Sequence, residues 1–212
     1  MEILKDIAKN VIAGEDAEVA EQVAQAIQSG VPTIEILDDG LIAGMNVVGA
    51  RFKKHDMFLP EVLLSARAMT AGVAVLKPLL IAEEVPSRGK VVLGSVQGDL
   101  HNIGKNLVGI MLEGAGFEIL DLGIDVPPDK FIDAAIAEDA SVIGLSSLLT
   151  TTMGLMKVVV DLVQEKGLSG QVQVIVGGAP VSEEFAQSIG ADGYAYDAAN
   201  AVEKVMALVG ER

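Results

Sequence analysis

A chain of 212 residues with 30 acidic and 15 basic side chains, for a formal charge of −15, repels phosphate backbones and anionic membrane surfaces, and no basic patch reverses that balance. Nucleic acid and membranes are therefore not expected partners. The absence of cysteine excludes disulfides, thiolate metal sites and a catalytic thiol; half the residues are hydrophobic, only 3% are aromatic and none is Trp, so the core must be built from Ala, Val, Ile, Leu and Met.

Met1 opens an amphipathic mixture of charges rather than a charged start followed by an apolar block, so no secretory leader is expected. The longest apolar stretches are interrupted at Lys77 or Pro78, which reads as too soon for a membrane span. A soluble cytoplasmic protein is the expectation. From Met1 to about Glu84 the apolar residues recur at three and four, as in Ile3, Ile7 and Val11, then Val19, Val23, Ala26 and Ile27. That spacing predicts helices. Gly14-Glu15-Asp16, Gly30-Val31-Pro32, Asp38-Asp39-Gly40 and Leu59-Pro60-Glu61 break the pattern, and Pro60 suits the first turn of a helix. About four helices with short connections predict an antiparallel four-helix bundle over 1–84.

Val85-Pro86-Ser87-Arg88-Gly89 reads as a linker, and over 90–212 the rhythm changes to short β-branched runs alternating with amphipathic segments. Strands are predicted at 90–96, 117–122, 141–145, 171–176 and 193–195, with helices at 103–114, 128–138, 152–165, 182–188 and 200–208. Continuous apolar strands such as Val91-Val92-Leu93 suit a parallel sheet covered on both faces. The fold class is therefore α plus α/β, a helical bundle followed by a flavodoxin-like, Rossmann-type sheet of five parallel strands. Such sheets bind ligands beyond the carboxyl ends of their strands, at the switch point.

Three strands end at ligand-type turns. Asp99-Leu100-His101-Asn102-Ile103-Gly104 follows the first, Ser146-Ser147-Leu148 the third and Gly177-Gly178 the fourth; forty-one residues, 105–145, separate the first block from the second, and twenty-eight, 149–176, the second from the third. In the turn Gln97-Gly98-Asp99-Leu100-His101-Asn102 an imidazole points away from the sheet edge, and Asp99, two residues earlier, can reach its Nδ1–H and leave Nε2 for a metal. One His and one Asp cannot make a zinc or di-iron site, so a metal here brings most of its own coordination, as a macrocycle does. Gly104 opens the next helix without a Cβ, giving a bulky ligand close access to the backbone. Ser146 offers a hydroxyl and Leu148 an apolar wall, while the two glycines admit a ribose-phosphate-like tail close to the main chain.

Asp-x-His-x-x-Gly, Ser-x-Leu and Gly-Gly at these separations resemble the pattern of cobalamin-binding domains that hold the cofactor with its own base detached. The resemblance covers essentially the whole chain, because a preceding helical bundle is the arrangement of methionine synthase's cobalamin module and of the small corrinoid proteins of methanogens and acetogens. It implies that His101 is the lower cobalt ligand and Asp99 its partner, the two together forming the catalytic pair. It also implies that Gly104, Ser146, Leu148, Gly177 and Gly178 form the tail pocket, with Gly98, Leu100, Asn102, Ile103 and Thr150 beside them. Arg51 to Glu61 and Ser65 to Met69 look like the family's bundle segment over the upper face of the cofactor, which sets Met57, Phe58 and Leu59 over cobalt. His55 reads as a solvated surface residue.

The implied function is a corrinoid methyl carrier. Cobalt(I) is a strong nucleophile that prefers four ligands, whereas methyl-cobalt(III) prefers six, so release and return of His101, modulated by Asp99, can tune methyl transfer. With no cysteine and no segment long enough for a barrel, the chain does not read as an autonomous enzyme. It reads as the corrinoid subunit of a methyltransferase system, docking in turn with a substrate methyltransferase and an acceptor methyltransferase and served by a reductive activator of the corrinoid. Residues 85–89 would then act as the hinge that lets the bundle move aside. Methanol, methylamines, glycine betaine and aryl methyl ethers are the donor classes such carriers serve, and general resemblance leans toward ether demethylation, with tetrahydrofolate or coenzyme M as acceptor. A cobalamin-dependent mutase needs a large substrate barrel, absent from this chain unless it sits on a separate subunit, and the helical front half argues against it. A cobalamin-sensing regulator, the best reading from another class, should carry a basic helix-turn-helix where residues 1–30 are acidic. A flavin or dinucleotide protein lacks support because no Gly-x-Gly-x-x-Gly follows the first strand.

Overall fold

The computed structural model describes residues 2–83, 85 and 87–210, so Glu84 and Pro86, which fall at the expected end of the bundle and in the expected linker, lie outside the described residues. Two compact units emerge, Met1–Pro86 with Gly114–Gly116 and Ser87–Glu113 with Phe117–Arg212.

In the first unit, α1 (Glu2–Ala13) and α2 (Asp16–Gln28) bury Leu4, Ile7 and Val11 and Val19, Val23 and Ala26, the face that the three-four spacing marks. The expected break at Asp38-Asp39-Gly40 does not occur. α3 (Thr33–Glu35), a π-helical segment (Ile36–Ile42) and α4 (Ala43–Lys53) follow one another without interruption. Gly40 and Gly44 serve helix packing instead of a turn: a Cβ on Gly40 would stand 3.2 Å from Ile7 Cγ2, and one on Gly44 2.8 Å from both Ala8 O and Val11 Cβ. Their missing side chains let α1 lie close against this run.

α5 (Leu59–Ala82) begins with the Phe58 N–H donating to Glu61 Oε2 at 2.8 Å, with Pro60 in its first turn. Lys77 and Pro78, which interrupt the apolar run in the sequence, do not interrupt the helix. The helix has 24 residues and is long and apolar enough, by length and composition, to cross a membrane. Pro78 stands inside the helix, where it has no N–H to donate to the carbonyl of Ala74 one turn earlier. Val62, Ser65, Ala68, Met69, Gly72 and Leu76 are buried in the bundle, and the Ser65 hydroxyl donates to Ile12 O at 3.2 Å, as in the core helix of a bundle.

In the second unit, β1 (Lys90–Ser95), β2 (Glu118–Asp121), β3 (Val142–Ser146), β4 (Gln173–Gly177) and β5 (Gly193–Ala195) form one parallel sheet in the order β2-β1-β3-β4-β5. Order reverses between β1 and β3, which opens the crevice of a flavodoxin-like sheet at the ends of those strands. The connecting helices are α6 (Ile103–Gly114), α7 (Pro128–Ala137), α8 (Gly154–Glu165), α9 (Glu183–Ile189) and α10 (Ala198–Val209). Val92, Phe131, Ile143, Met156, Val159, Val174 and Val176 share one core between the sheet and α7, α8 and α9. Strands and helices fall within two residues of their predicted bounds. The shifts matter at two places: Ser146 and Gly177 are the paired last residues of β3 and β4, and Thr152 belongs to the turn before α8.

Candidate functional site

The crevice holds one ionisable pair. Past β1, residues 97–102 form a turn in which the Asp99 side chain is wholly buried while His101 stays half exposed. Asp99 Oδ1 lies 2.7 Å from His101 Nδ1 and accepts the His101 backbone N–H at 3.0 Å. Asp99 Oδ2 accepts the Leu148 N–H at 2.6 Å and lies 3.5 Å from Ser147 Oγ and 3.4 Å from Thr152 Oγ1. The two hydroxyls are 2.8 Å apart, and each is 3.1 Å from Leu149 O. The Ser95 hydroxyl fixes the turn from beneath by donating to His101 O at 2.6 Å.

Burial pushes the Asp99 carboxyl up, but the backbone N–H groups of His101 and Leu148, together with the His101 imidazole, outweigh it and hold the group below the usual carboxylate range. An ionised carboxylate only accepts, so the proton on the imidazole resides on Nδ1 and the lone pair is on Nε2. The neutral imidazole is thereby held in one tautomer with its Nε2 lone pair available, the arrangement that neighbouring carboxylates impose on metal-bound histidines.

Leu100 and Ile103, which flank His101 in the chain, are exposed at 68% and 74%, and Leu148, whose N–H binds Asp99, and Leu149 are less open. A Cβ on Gly104 would meet nothing within 4 Å. Among the described residues no three His, Cys, Asp or Glu side chains gather to hold a metal ion. One imidazole, with exposed apolar neighbours in the same loop and open space at Gly104, fits a bulky group that brings most of its own metal coordination.

The other predicted residues separate into those the structure joins to this pair and those it does not. Gly98 stands beside Asp99 with φ of 84°, and Asn102 and Ile103 lead into α6. Ser146 is half-buried at the end of β3, its carbonyl accepting the Val96 N–H at 3.0 Å. Thr150 is exposed; it is Thr152, further along the same threonine run, that reaches Asp99. Gly177 accepts the Ser147 N–H at 3.1 Å, and Gly178, with φ of 131°, passes so close to Ser147 that a Cβ would fall 1.8 Å from its carbonyl oxygen. Gly178 is thus required by packing against Ser147, and Gly177 by Ala195, whose carbonyl oxygen would lie 2.8 Å from a Cβ there. Sequence reading missed Ser147 and Thr152 as partners of Asp99; the signal was the cluster of hydroxyls from Ser146 to Thr152 that follows β3. In the bundle unit, Met57 is buried and lines a cavity of about 400 Å³ with Arg51, Glu61 and Leu64, Leu59 is half-buried, and Phe58 is 65% exposed. His55 is exposed, as expected.

Two family models, each described as a B12 binding domain, match residues 89–205 and 3–77. The chain is 45% identical over 209 residues to the dimethylamine corrinoid protein of Methanosarcina barkeri, covering 98% of each. This chain belongs to the B12-binding corrinoid proteins. The corrinoid protein is also 40% identical over 214 residues to a corrinoid protein of Desulfitobacterium hafniense strain Y51, covering 100% of this chain and 99% of that one. Among solved structures, a chain of the methanol:cobalamin methyltransferase complex MtaBC from Methanosarcina barkeri matches with a TM-score of 0.86 and 33% identity, over 98% of this chain and 80% of that one. A cobalamin-binding protein from Desulfitobacterium hafniense DCB-2 matches with a TM-score of 0.81 and 32% identity over 98% of both chains. The cofactor of this corrinoid protein is accordingly a cobalamin-type corrinoid, and the helical region followed by a five-stranded parallel sheet is the fold it shares with these structures.

Proposed function

We propose that this corrinoid protein is a methyl carrier in which His101 is the lower ligand of the corrinoid and Asp99 governs that ligand. The observation that carries the reading is the 2.7 Å contact of His101 Nδ1 with a buried, ionised carboxylate, which leaves Nε2 as the free donor. When bound, the corrinoid supplies the metal centre on which a methyl group is taken up and handed on. The chain's own part is to present and withdraw one imidazole. Asp99 keeps the Nδ1–H tautomer and orients the ring; Ser147, Thr152 and the Leu148 N–H keep Asp99 in place. With the imidazole unligated, Asp99 would remain the partner of its Nδ1 and keep the ring in place. Gly104 leaves room beside the backbone, and Leu100, Asn102, Ile103, Ser146, Leu148 and Thr150 line the cofactor's side of the crevice. Gly98, Gly177 and Gly178 shape the turns behind it. Met57, Phe58 and Leu59 are assigned to the bundle's cofactor-facing segment. The bundle, linker and cofactor domain are assigned to 1–84, 85–89 and 90–212, with 85–89 as the hinge.

A shuttle needs two docking partners, a methyltransferase that removes the methyl group from its donor and one that passes it to an acceptor such as tetrahydrofolate or coenzyme M, and a reductive activator restores the corrinoid. The setting is cytoplasmic. Relatives named for dimethylamine and trimethylamine, 42–45% identical over 95–98% of the chain, favour a methylated amine as donor over a methyl ether. The test is to load the purified apoprotein with hydroxocobalamin, capture its methyltransferase by pull-down, and supply methylated donors to the reconstituted pair. Retained colour after desalting and demethylation of an amine donor support the reading; a colourless protein contradicts it.

A further inference from the structure

Beyond the end of β2 the backbone keeps travelling beside the loop that carries Asp99 and His101. The Leu122 N–H donates to Leu93 O at 2.8 Å, the Ser95 N–H to Gly123 O at 3.0 Å and the Val126 N–H to Ser95 O at 3.0 Å. Between Gly123 and Val126 stands Asp125, in the left-handed region with φ of 55°. That conformation costs most residues energy and is tolerated by Asp. It turns both polar ends of the residue onto one dipeptide: Asp125 Oδ1 accepts the Gly98 N–H at 2.6 Å, and the Asp125 N–H donates to Asp99 O at 3.1 Å. The Gly98-Asp99 unit is therefore held at its amide and at its carbonyl by a single residue 26 positions beyond Asp99 in the chain.

We infer that Asp125 is a positioning residue for the Asp99–His101 pair. Held at both ends, the Gly98-Asp99 backbone cannot rotate, so the Asp99 carboxylate stays aimed between the His101 imidazole and the Leu148 N–H. Asp125 acts only through Asp99. Its carboxylate is the acceptor that the Gly98 amide needs, and the left-handed backbone is what brings the Asp125 N–H to Asp99 O. In sequence, Asp125 sits in Gly123-Ile124-Asp125-Val126-Pro127, where it reads as an ordinary turn aspartate. The consequence for the cofactor rests on His101 being its ligand, whereas the clamp itself rests on the geometry of the loops.

The test uses full-length apoprotein labelled with ¹⁵N. Asp125→Gly keeps the left-handed turn without strain and deletes only the side-chain acceptor. Asp125→Asn keeps an oxygen at the same place, and Asp125→Ala is a second deletion of the acceptor should the glycine loosen the loop. In the deletion variants the Gly98 amide is expected to exchange about five to ten times faster, following loss of one hydrogen bond. The His101 ring-nitrogen shifts move from the Nδ1–H form toward a mixture of tautomers, while Asp125→Asn restores wild-type values. Unchanged Gly98 exchange and unchanged His101 ring shifts in both deletion variants overturn the inference. After loading with cobalamin, the deletion variants should show a smaller fraction of the histidine-ligated absorption spectrum than wild type, with His101→Ala marking the unligated limit. If His101→Ala matches wild type, the ligand assignment fails, and the apoprotein measurements still decide the clamp.

Discussion

Asp99 joins burial to ionisation, and that combination sets its pH behaviour. Its folded carboxyl lies below the ordinary value of 3.8, so the stability it contributes is fully present above that value and is lost as pH falls through the lower folded one. Asp99→Asn should therefore cost about 1–3 kcal/mol in urea unfolding of the apoprotein at neutral pH, because its donors lose a charged acceptor. The gap to wild type should close below about pH 4. In the loaded protein the same change should shift the balance between ligated and unligated histidine; an unchanged absorption spectrum would count against Asp99 as the governor of His101. Gly104 and Gly178 offer a matched contrast, since one faces open space and the other faces Ser147 O. Gly104→Ala should leave apoprotein stability equal or raise it by up to about 1 kcal/mol, as expected for glycine replaced in a helix. It should weaken cobalamin binding about tenfold, measured by titration of the apoprotein, because the methyl group enters the space left for the ligand.

At the scale of elements, the end of β4 buttresses the turn after β3, and that turn holds Asp99. Gly178→Ala drives a Cβ into the Ser147 carbonyl and should cost more than about 3 kcal/mol, read as a lower urea midpoint, with loss of histidine ligation in whatever folds. The order of strands and helices was legible in the sequence because β1, β3 and β4 are built on short apolar runs and the helices between them are amphipathic. The Asp99–His101 contact was legible from spacing in a non-helical turn. The π-helical stretch was not: Asp38-Asp39-Gly40 carries turn chemistry, and only the approach of Ile7 to Gly40 shows why a glycine belongs inside a helix there. α5 runs on through Lys77 and Pro78, so the residues that interrupt the apolar run do not interrupt the helix. Ser147 and Thr152 escaped notice because a hydroxyl's partner lies across the fold, here 48 and 53 residues from Asp99, where no local pattern reaches.

For the whole molecule, the proposed role is that of a carrier which offers His101 to the corrinoid and relies on partners for both chemical steps. Purified and loaded, the protein alone should leave di- and trimethylamine untouched, whereas addition of its captured methyltransferase should produce demethylated amine by mass spectrometry. The proposed carrier role passes through one nitrogen, Nε2 of His101. Electron paramagnetic resonance of the cobalamin-loaded protein, reduced to its paramagnetic cobalt form, with and without ¹⁵N-histidine, tests that link most directly. The account predicts that the nitrogen splitting changes with the isotope in the histidine. A splitting that ignores the label, because the cofactor's own benzimidazole remains bound, would contradict it.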